Sequence, residues 1–181
     1  DLSYIKQYYP REYDTYNINT TSNGARGEHY KLLNYIAHLF SNEILLDIGT
    51  REGISALALA TSDNSIITYD INRIELPFKS DYINVEFKQL DINLETVNNL
   101  SRSPLMVLDI DPHDGSQEKI FFNTLRKINY NGIIILDDIN LNEGMAGFWE
   151  SVTENKYDIT KYGHMSGTGL VDFSGKHEVV D

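Results

Sequence analysis

The chain of 181 residues contains no cysteine. That excludes disulfides, thiolate metal centres and cysteine nucleophiles, and it suits a reducing compartment. Basic residues are also scarce, with 15 Lys and Arg against 27 Asp and Glu, for a formal net charge of −12. A surface of that sign repels a phosphate backbone or an anionic membrane, so neither nucleic acid nor a membrane is an expected partner. Its simplest effect is solubility. No apolar run reaches the roughly 18 residues of a membrane span. The first residues, DLSYIKQYYPREYDTYN, lack the basic start and apolar centre of a signal peptide. A soluble, cytoplasmic protein is the expectation. Because the sequence opens on aspartate, it leaves open whether it is part of a longer chain, and oligomeric state is equally open.

What is present is an alternation of short apolar, β-branched runs with helical patterns. Residues 1–23 form a polar, Tyr-rich segment, and residues 24–181 have the length of one domain with a single crevice. Gly24-Ala-Arg26-Gly27 precedes a helix whose Leu32, Leu33, Ile36, Ala37 and Phe40 follow helical spacing. Strands are then expected at 44–48, 66–70, 84–90, 105–110 and 133–137. Helices are expected at 53–61, 94–101 and 116–128, with a short helical or irregular stretch at 73–80. A helix at 145–153 and two strands at 157–162 and 169–173, joined by GHMSGTG, close the chain. This is the βαβ rhythm of an α/β fold with a parallel sheet.

The most informative stretch is EILLDIGTREGISALALA, residues 43–60, an apolar strand, a glycine-bearing turn and a helix of small residues. The turn reads Asp47-Ile-Gly49-Thr50-Arg51-Glu-Gly53, with Ser55 at the start of the helix. A dinucleotide site would show G-x-G-x-x-G, whereas the spacing here is G-x-x-x-G with arginine at position 51. Such a turn is poorly suited to a pyrophosphate, and a cofactor with a cationic or neutral tail fits better. Asp70 ends the second strand, 23 positions beyond Asp47, where doubly wound folds place an acceptor for ribose hydroxyls. Asp91 ends the third strand in the same way. Acids at the ends of three successive strands are expected to line one crevice.

A second group of acids follows. LMVLDIDPHDGS runs from a strand into a turn carrying Asp109, Asp111, His113 and Asp114, and the strand near Leu136 delivers Asp137 and Asp138 to the same sheet edge. Clustered carboxylates repel one another unless a cation neutralises them, and oxygen ligands suit Mg²⁺, Mn²⁺ or Ca²⁺. Taken alone, these read first as loop acids facing water, ahead of a cation site. Imidazole as a side-chain type titrates near neutral pH, so His113 is the residue best suited to a general base, with Asp111 as its partner or an extra ligand. Orienting a ligand, or bonding a turn carbonyl, is the alternative role for His113.

GTREGISALALA, followed by TYDIN at 68–72, resembles the class I S-adenosylmethionine-dependent O-methyltransferases of the metal-dependent, catechol-methyltransferase-like group. The resemblance spans about Thr21 to Phe173. It implies a Rossmann-like, doubly wound sheet, mostly parallel with a C-terminal antiparallel hairpin. It also implies S-adenosylmethionine as cofactor, with Gly49 to Ser55 facing its methionine part, Asp70 the ribose and Asp91 the adenine. Asp109, Asp137 and Asp138 match the family's metal positions, where Mg²⁺ would grip a hydroxyl of a small acceptor. Catechol methyltransferases carry asparagine where Asp138 stands, and sugar and macrolide methyltransferases often carry two acids, so a sugar or glycan acceptor is implied. The lysine base of the catechol enzymes is replaced by Pro112, and His113 lies one residue from the histidine of the sugar-modifying relatives. A degenerate methyltransferase-fold module that binds without catalysis is the rival expectation, and an NAD-dependent enzyme is disfavoured by the missing G-x-G.

Arg26 is a candidate contact for an anionic group, and Phe148 and Trp149 are either a stacking platform or core. The GHMSGTG segment reads as a turn, with closure over a substrate as the alternative. His29, His38 and His177 carry no functional expectation.

Overall fold

Strand β1, Ile44–Ile48, sends alternate side chains to opposite faces of a sheet, and both faces are apolar. The computed structural model describes residues 2–14, 29–60, 63–76, 84–177 and 179. Arg26 with its flanking glycines, and the part of the expected irregular stretch at 77–80, lie outside the described residues. Among the described residues, besides a helical run at 10–14, the helices are α1 (Ser3–Tyr8), α2 (His29–Ala37), α3 (Ile54–Leu59), α4 (Val97–Arg102), α5 (Ser116–Lys127) and α6 (Glu143–Ser151). The remaining strands are β2 (Ser65–Asp70), β3 (Val85–Gln89), β4 (Leu105–Leu108), β5 (Ile133–Asp137), β6 (Asn155–Asp158) and β7 (Thr168–Asp172).

The sheet has seven strands in the order β3-β2-β1-β4-β5-β7-β6. The first five are parallel; β7 lies antiparallel to β5, and β6 antiparallel to β7. The expected Rossmann-like, doubly wound architecture with its antiparallel C-terminal pair is therefore present. The winding direction reverses between β1 and β4, and a crevice opens outside the carboxyl ends of the strands at such a switch point.

Leu45, Ile66, Val107 and Ile135 face α2 and α3, where Leu33, Ile36 and Ala56 to Leu59 meet them. Leu46, Ile48, Met106, Leu108 and Leu136 face α5 and α6 through Phe121, Phe122, Leu125 and Phe148. Burial of each leucine contributes about 1.5–3 kcal/mol. Phe148 and Trp149 belong to this second layer rather than to a cavity wall: Phe148 makes an edge contact with Phe122 at 5.0 Å between ring centroids.

Asn64 fastens the start of the sheet. Its amide donates to the carbonyls of Ala37 (2.9 Å) and Phe40 (3.1 Å), and its oxygen accepts from Glu43 N (2.9 Å). The end of α2, the start of β1 and the start of β2 are thereby locked together.

Local side-chain to backbone bonds account for the boundaries that differ from expectation. The strand expected at 157–162 ends at Asp158, whose carboxylate accepts from Thr160 N at 2.9 Å and starts a 3₁₀ turn over Thr160–Tyr162. The helix expected at 94–101 is split into a 3₁₀ turn, Ile92–Leu94, capped by Asp91, and α4, capped by Thr96. Helix α6 begins at Glu143, earlier than its apolar pattern, because Asn142 caps it through Met145 N at 3.0 Å. Among the described residues no helix is long and apolar enough to cross a membrane.

Candidate active site

The turn after β1 satisfies its own backbone. Gly49 N and Thr50 N donate to Tyr69 O at 2.9 and 3.0 Å, Arg51 N donates to Asp70 Oδ2 at 3.1 Å, and Gly53 N donates to Thr50 O at 2.6 Å. Protein acceptors occupy these amides, so they are not free to cradle an anion. The turn brings β1 against β4 instead. Gly49 has φ of 102°, and a Cβ there would stand 1.7 Å from the carbonyl oxygen of Asp109.

Asp47 does not reach the crevice rim where it was expected. As a β1 residue in phase with Leu45, it points to the α3 side of the sheet and is 1% exposed. Its carboxyl accepts from Thr68 Oγ1 at 2.6 Å, and Thr68 shares a 2.7 Å hydrogen bond with Thr50. Burial pushes the Asp47 carboxyl up to about 7 against the opposing hydrogen bonds of Thr68 and Ser55. Asp47 braces the turn from inside.

Two cavities lie over the strand ends. The larger, about 720 Å³, covers the ends of β1, β2 and β3 and continues over the β4 turn. Asp70 and Asp91 both line it. Asp70 accepts from Arg51 N and Asn72 N (2.8 Å), and Asp91 accepts from Asn93 N (2.9 Å). Ile71, Ile74, Leu90 and Ile92 give this cavity apolar walls. The Asn93 amide oxygen beside them is buried without a hydrogen-bond partner.

The smaller cavity, about 310 Å³, is polar, and Asp109, Asp137, Asp138, His113, His164 and His29 line it. His113 Nδ1 stands 3.6 Å from Asp109 Oδ1 and 3.5 Å from Asp138 Oδ2, while its Nε2 is 3.2 Å from Asp111 Oδ1. His164 Nδ1 is 3.5 Å from Asp138 Oδ1, and Ser166 Oγ bonds both His164 and Asp138. Burial and the neighbouring charge of Asp137 push Asp109 up to about 7. Burial and Asp138 push Asp137 up to about 6, and the Asp137 Oδ1 atom is buried without a partner. Burial also acts upward on Asp138, but hydrogen bonds from His164 and Ser166 and the nearby imidazoles outweigh it and hold that carboxyl low.

Among the described residues, two groups bring ligand-type atoms within 4.8 Å of one another: Asp109, His113 and Asp138, and Asp137, Asp138 and His164. The cavities meet at Gly49, Arg51, Asp109 and His113, which line both.

No family model matches this chain, and no curated protein does either. Solved structures do. The S-adenosylhomocysteine-bound methyltransferase PaMTH1 of Podospora anserina is 15% identical, with 90% of this chain and 86% of that one covered at a TM-score of 0.62. A methyltransferase from Geobacter sulfurreducens is 12% identical over 89% and 86% of the two chains, with a TM-score of 0.57. The O-methyltransferase TomG of Streptomyces achromogenes, involved in tomaymycin synthesis and solved with S-adenosylmethionine, is 18% identical over 79% and 78%, with a TM-score of 0.51. The chain has the class I S-adenosylmethionine-dependent methyltransferase fold.

Within that methyltransferase fold, Gly49, Arg51, Asp70 and Asp91 line the larger cavity. Thr50 and Ser55 line the smaller one with Asp109, Asp137 and Asp138. Gly53, at φ of 73°, is the residue before α3 and lines neither cavity. Asp111 lines the larger cavity, mostly exposed, with only its contact to His113 tying it to the acid cluster. The sequence pattern missed His29, Tyr30 and Glu52, which also line the smaller cavity, and read His164 as part of a turn, with closure over a substrate as the alternative. His29 and Tyr30 open α2, far from any motif, and only the three-dimensional packing of α2 on α3 brings them here. His164 carried a signal, a histidine among glycines next to a strand that pairs with β5.

Proposed function

We propose that the protein is an O-methyltransferase of the cytoplasm, transferring the methyl group of S-adenosylmethionine to a hydroxyl of a small molecule. A sugar or glycan is the acceptor class favoured by the Asp137–Asp138 pair. The observation that carries this reading is the meeting of a large, apolar-walled cavity with a small acidic one at Gly49, Asp109 and His113. One compartment has the size and lining for the cofactor and the other for a cation-bound hydroxyl, so a group can pass between them.

The residues fit both groups. Asn93 presents an unsatisfied buried oxygen in an apolar slot, as an adenine amino group requires, and Asp70 keeps free lone pairs for ribose hydroxyls. Asp109, Asp137 and Asp138 crowd carboxylates together at a cost that a divalent cation removes, and Asp137 Oδ1 has no other partner. The cofactor supplies a methyl group on a sulfonium, and Mg²⁺ or a similar cation supplies a lowered hydroxyl pKa.

The chain's own contribution is alignment and proton removal. His113 would accept the proton of the acceptor hydroxyl, and the cofactor would supply the methyl group from its sulfonium. Asp109 and Asp138 beside Nδ1, and Asp111 beside Nε2, stabilise the imidazolium that results.

Calorimetric titration with S-adenosylhomocysteine and with NADH tests the cofactor, with binding expected only for the former. Asp109→Ala is expected to abolish transfer while leaving cofactor affinity nearly intact, and a fully active variant removes the metal role. Absence of S-adenosylhomocysteine binding would favour the non-catalytic binding module.

A further inference from the structure

The proposed reaction makes no use of His164, although the fold fixes this residue at the acid cluster. The connection before β7 is bonded to the residues after β5: Asn140 N donates to Ser166 O at 2.7 Å, Ile139 N to Gly167 O at 3.3 Å, and Gly167 N to His164 O at 3.0 Å. His164 N also donates to Thr168 Oγ1 at 2.8 Å. The imidazole is thereby held beside Asp138 by backbone on both sides.

We propose that Asp137, Asp138 and His164 form a mixed nitrogen and oxygen cation site that selects an imidazole-preferring transition ion, of the Fe²⁺, Co²⁺, Ni²⁺ or Zn²⁺ kind, over Mg²⁺. This rests on the cation-binding part of the function proposed above and not on methyl transfer. The donor atoms of the three residues lie within 4.8 Å of one another, and His164 Nδ1 is 3.5 Å from Asp138 Oδ1. Two donors bonded to a tetrahedral ion at roughly 2.1 Å stand about 3.4 Å apart. Carboxylate oxygens alone suit Mg²⁺, which loses its waters reluctantly, whereas an imidazole shifts preference along the first-row series.

Two unpartnered polar atoms, one of them outside the proposed donor set, point to a ligand in this space. Asp137 Oδ1 is buried and unpartnered. His29 is 7% exposed, lines the same cavity and leaves Nδ1 without a partner, with its ring edge-on to His164 at 5.7 Å.

The test uses the full chain, stripped with a chelator and without cofactor. CoCl₂ is titrated by visible absorption and MgCl₂ by calorimetry. The expected results are one Co²⁺ bound per chain, at least about tenfold tighter than Mg²⁺, and nitrogen coupling in the electron spin-echo spectrum of a Cu²⁺-loaded sample. His164→Ala is expected to weaken Co²⁺ by about tenfold or more. Its Mg²⁺ affinity and S-adenosylhomocysteine affinity should stay unchanged. Mg²⁺ binding as tightly as Co²⁺, equal loss of both ions in His164→Ala, or no nitrogen coupling in the wild type overturns the proposal. Co²⁺ binding without S-adenosylhomocysteine binding would sustain this site while removing the methyltransferase reading.

Discussion

Gly49 lies under the carbonyl of Asp109, so close that a Cβ at Gly49 would stand 1.7 Å from that oxygen. The turn of β1 and the acid-bearing end of β4 are therefore one unit, closed by Asp109 N donating to Ile48 O at 2.9 Å. Gly49→Ala meets both this contact and a φ of 102°. It should cost about 3 kcal/mol or more, or prevent folding. Urea denaturation checks this, and a midpoint equal to wild type would show that β1 and β4 can separate freely.

Asn64→Ala isolates scaffold from site. The substitution leaves the carbonyls of Ala37 and Phe40 and the N–H of Glu43 without their partner in a region where Asn64 is 2% exposed. Two or more unsatisfied groups predict a loss of about 2–4 kcal/mol. Because Asn64 lies at the opposite end of the strands from the cavities, affinity for S-adenosylhomocysteine at low temperature should be unchanged. Parallel thermal melts and calorimetry separate the two effects.

The sheet is legible in the sequence because the run Ile44, Leu45, Leu46 and the run Ile133, Ile134, Ile135 must be covered on both faces, which only a parallel layer with helices on each side provides. The acids of the site are legible because each follows such a run directly. Asp47 shows the limit of that logic: strand phase, not position near a strand end, decides whether a side chain reaches the rim or the α3 layer. Local side-chain bonds from Asp158, Thr96 and Asn142 override apolar periodicity within a turn. His29 and His164 reach the site through packing of distant segments, which no local pattern encodes.

Stability should depend on pH through the same acids. Asp109 and Asp137 titrate higher in the folded protein, at about 7 and about 6, so their contribution is fully present below about pH 4 and is lost as pH rises through those values. Asp172 shifts the other way, to about 2, because bonds from Ser174 and His177 outweigh its burial, and its contribution is lost only in acid. The chelator-treated protein should melt highest near pH 5 and several degrees lower at pH 8. Partial exposure of the Asp109 side chain limits the difference to about 1–2 kcal/mol. Asp137→Asn should flatten that fall, and a divalent cation should raise the melting temperature more at pH 8 than at pH 5. Scanning fluorimetry across pH 4–8 reads all three.

Asp70 tests the division of labour between the cavities. Its two carboxylate oxygens fix Arg51 N and Asn72 N, which shapes the wall of the larger cavity, while none of its atoms lines the smaller one. Asp70→Ala releases both amides and removes the acceptor at the end of β2. Affinity for S-adenosylhomocysteine should fall at least about tenfold, equivalent to about 1.4 kcal/mol. Asp91, which is exposed and, among the described residues, accepts from Asn93 N alone, should matter less, with Asp91→Ala weakening the same ligand by about two- to fivefold. Cation affinity should be unchanged in both variants, because the carboxylates and imidazoles of the smaller cavity keep their positions. If Asp70→Ala weakened the cation and the cofactor equally, the two compartments would be one coupled site, and the assignment of separate ligands to them would fail.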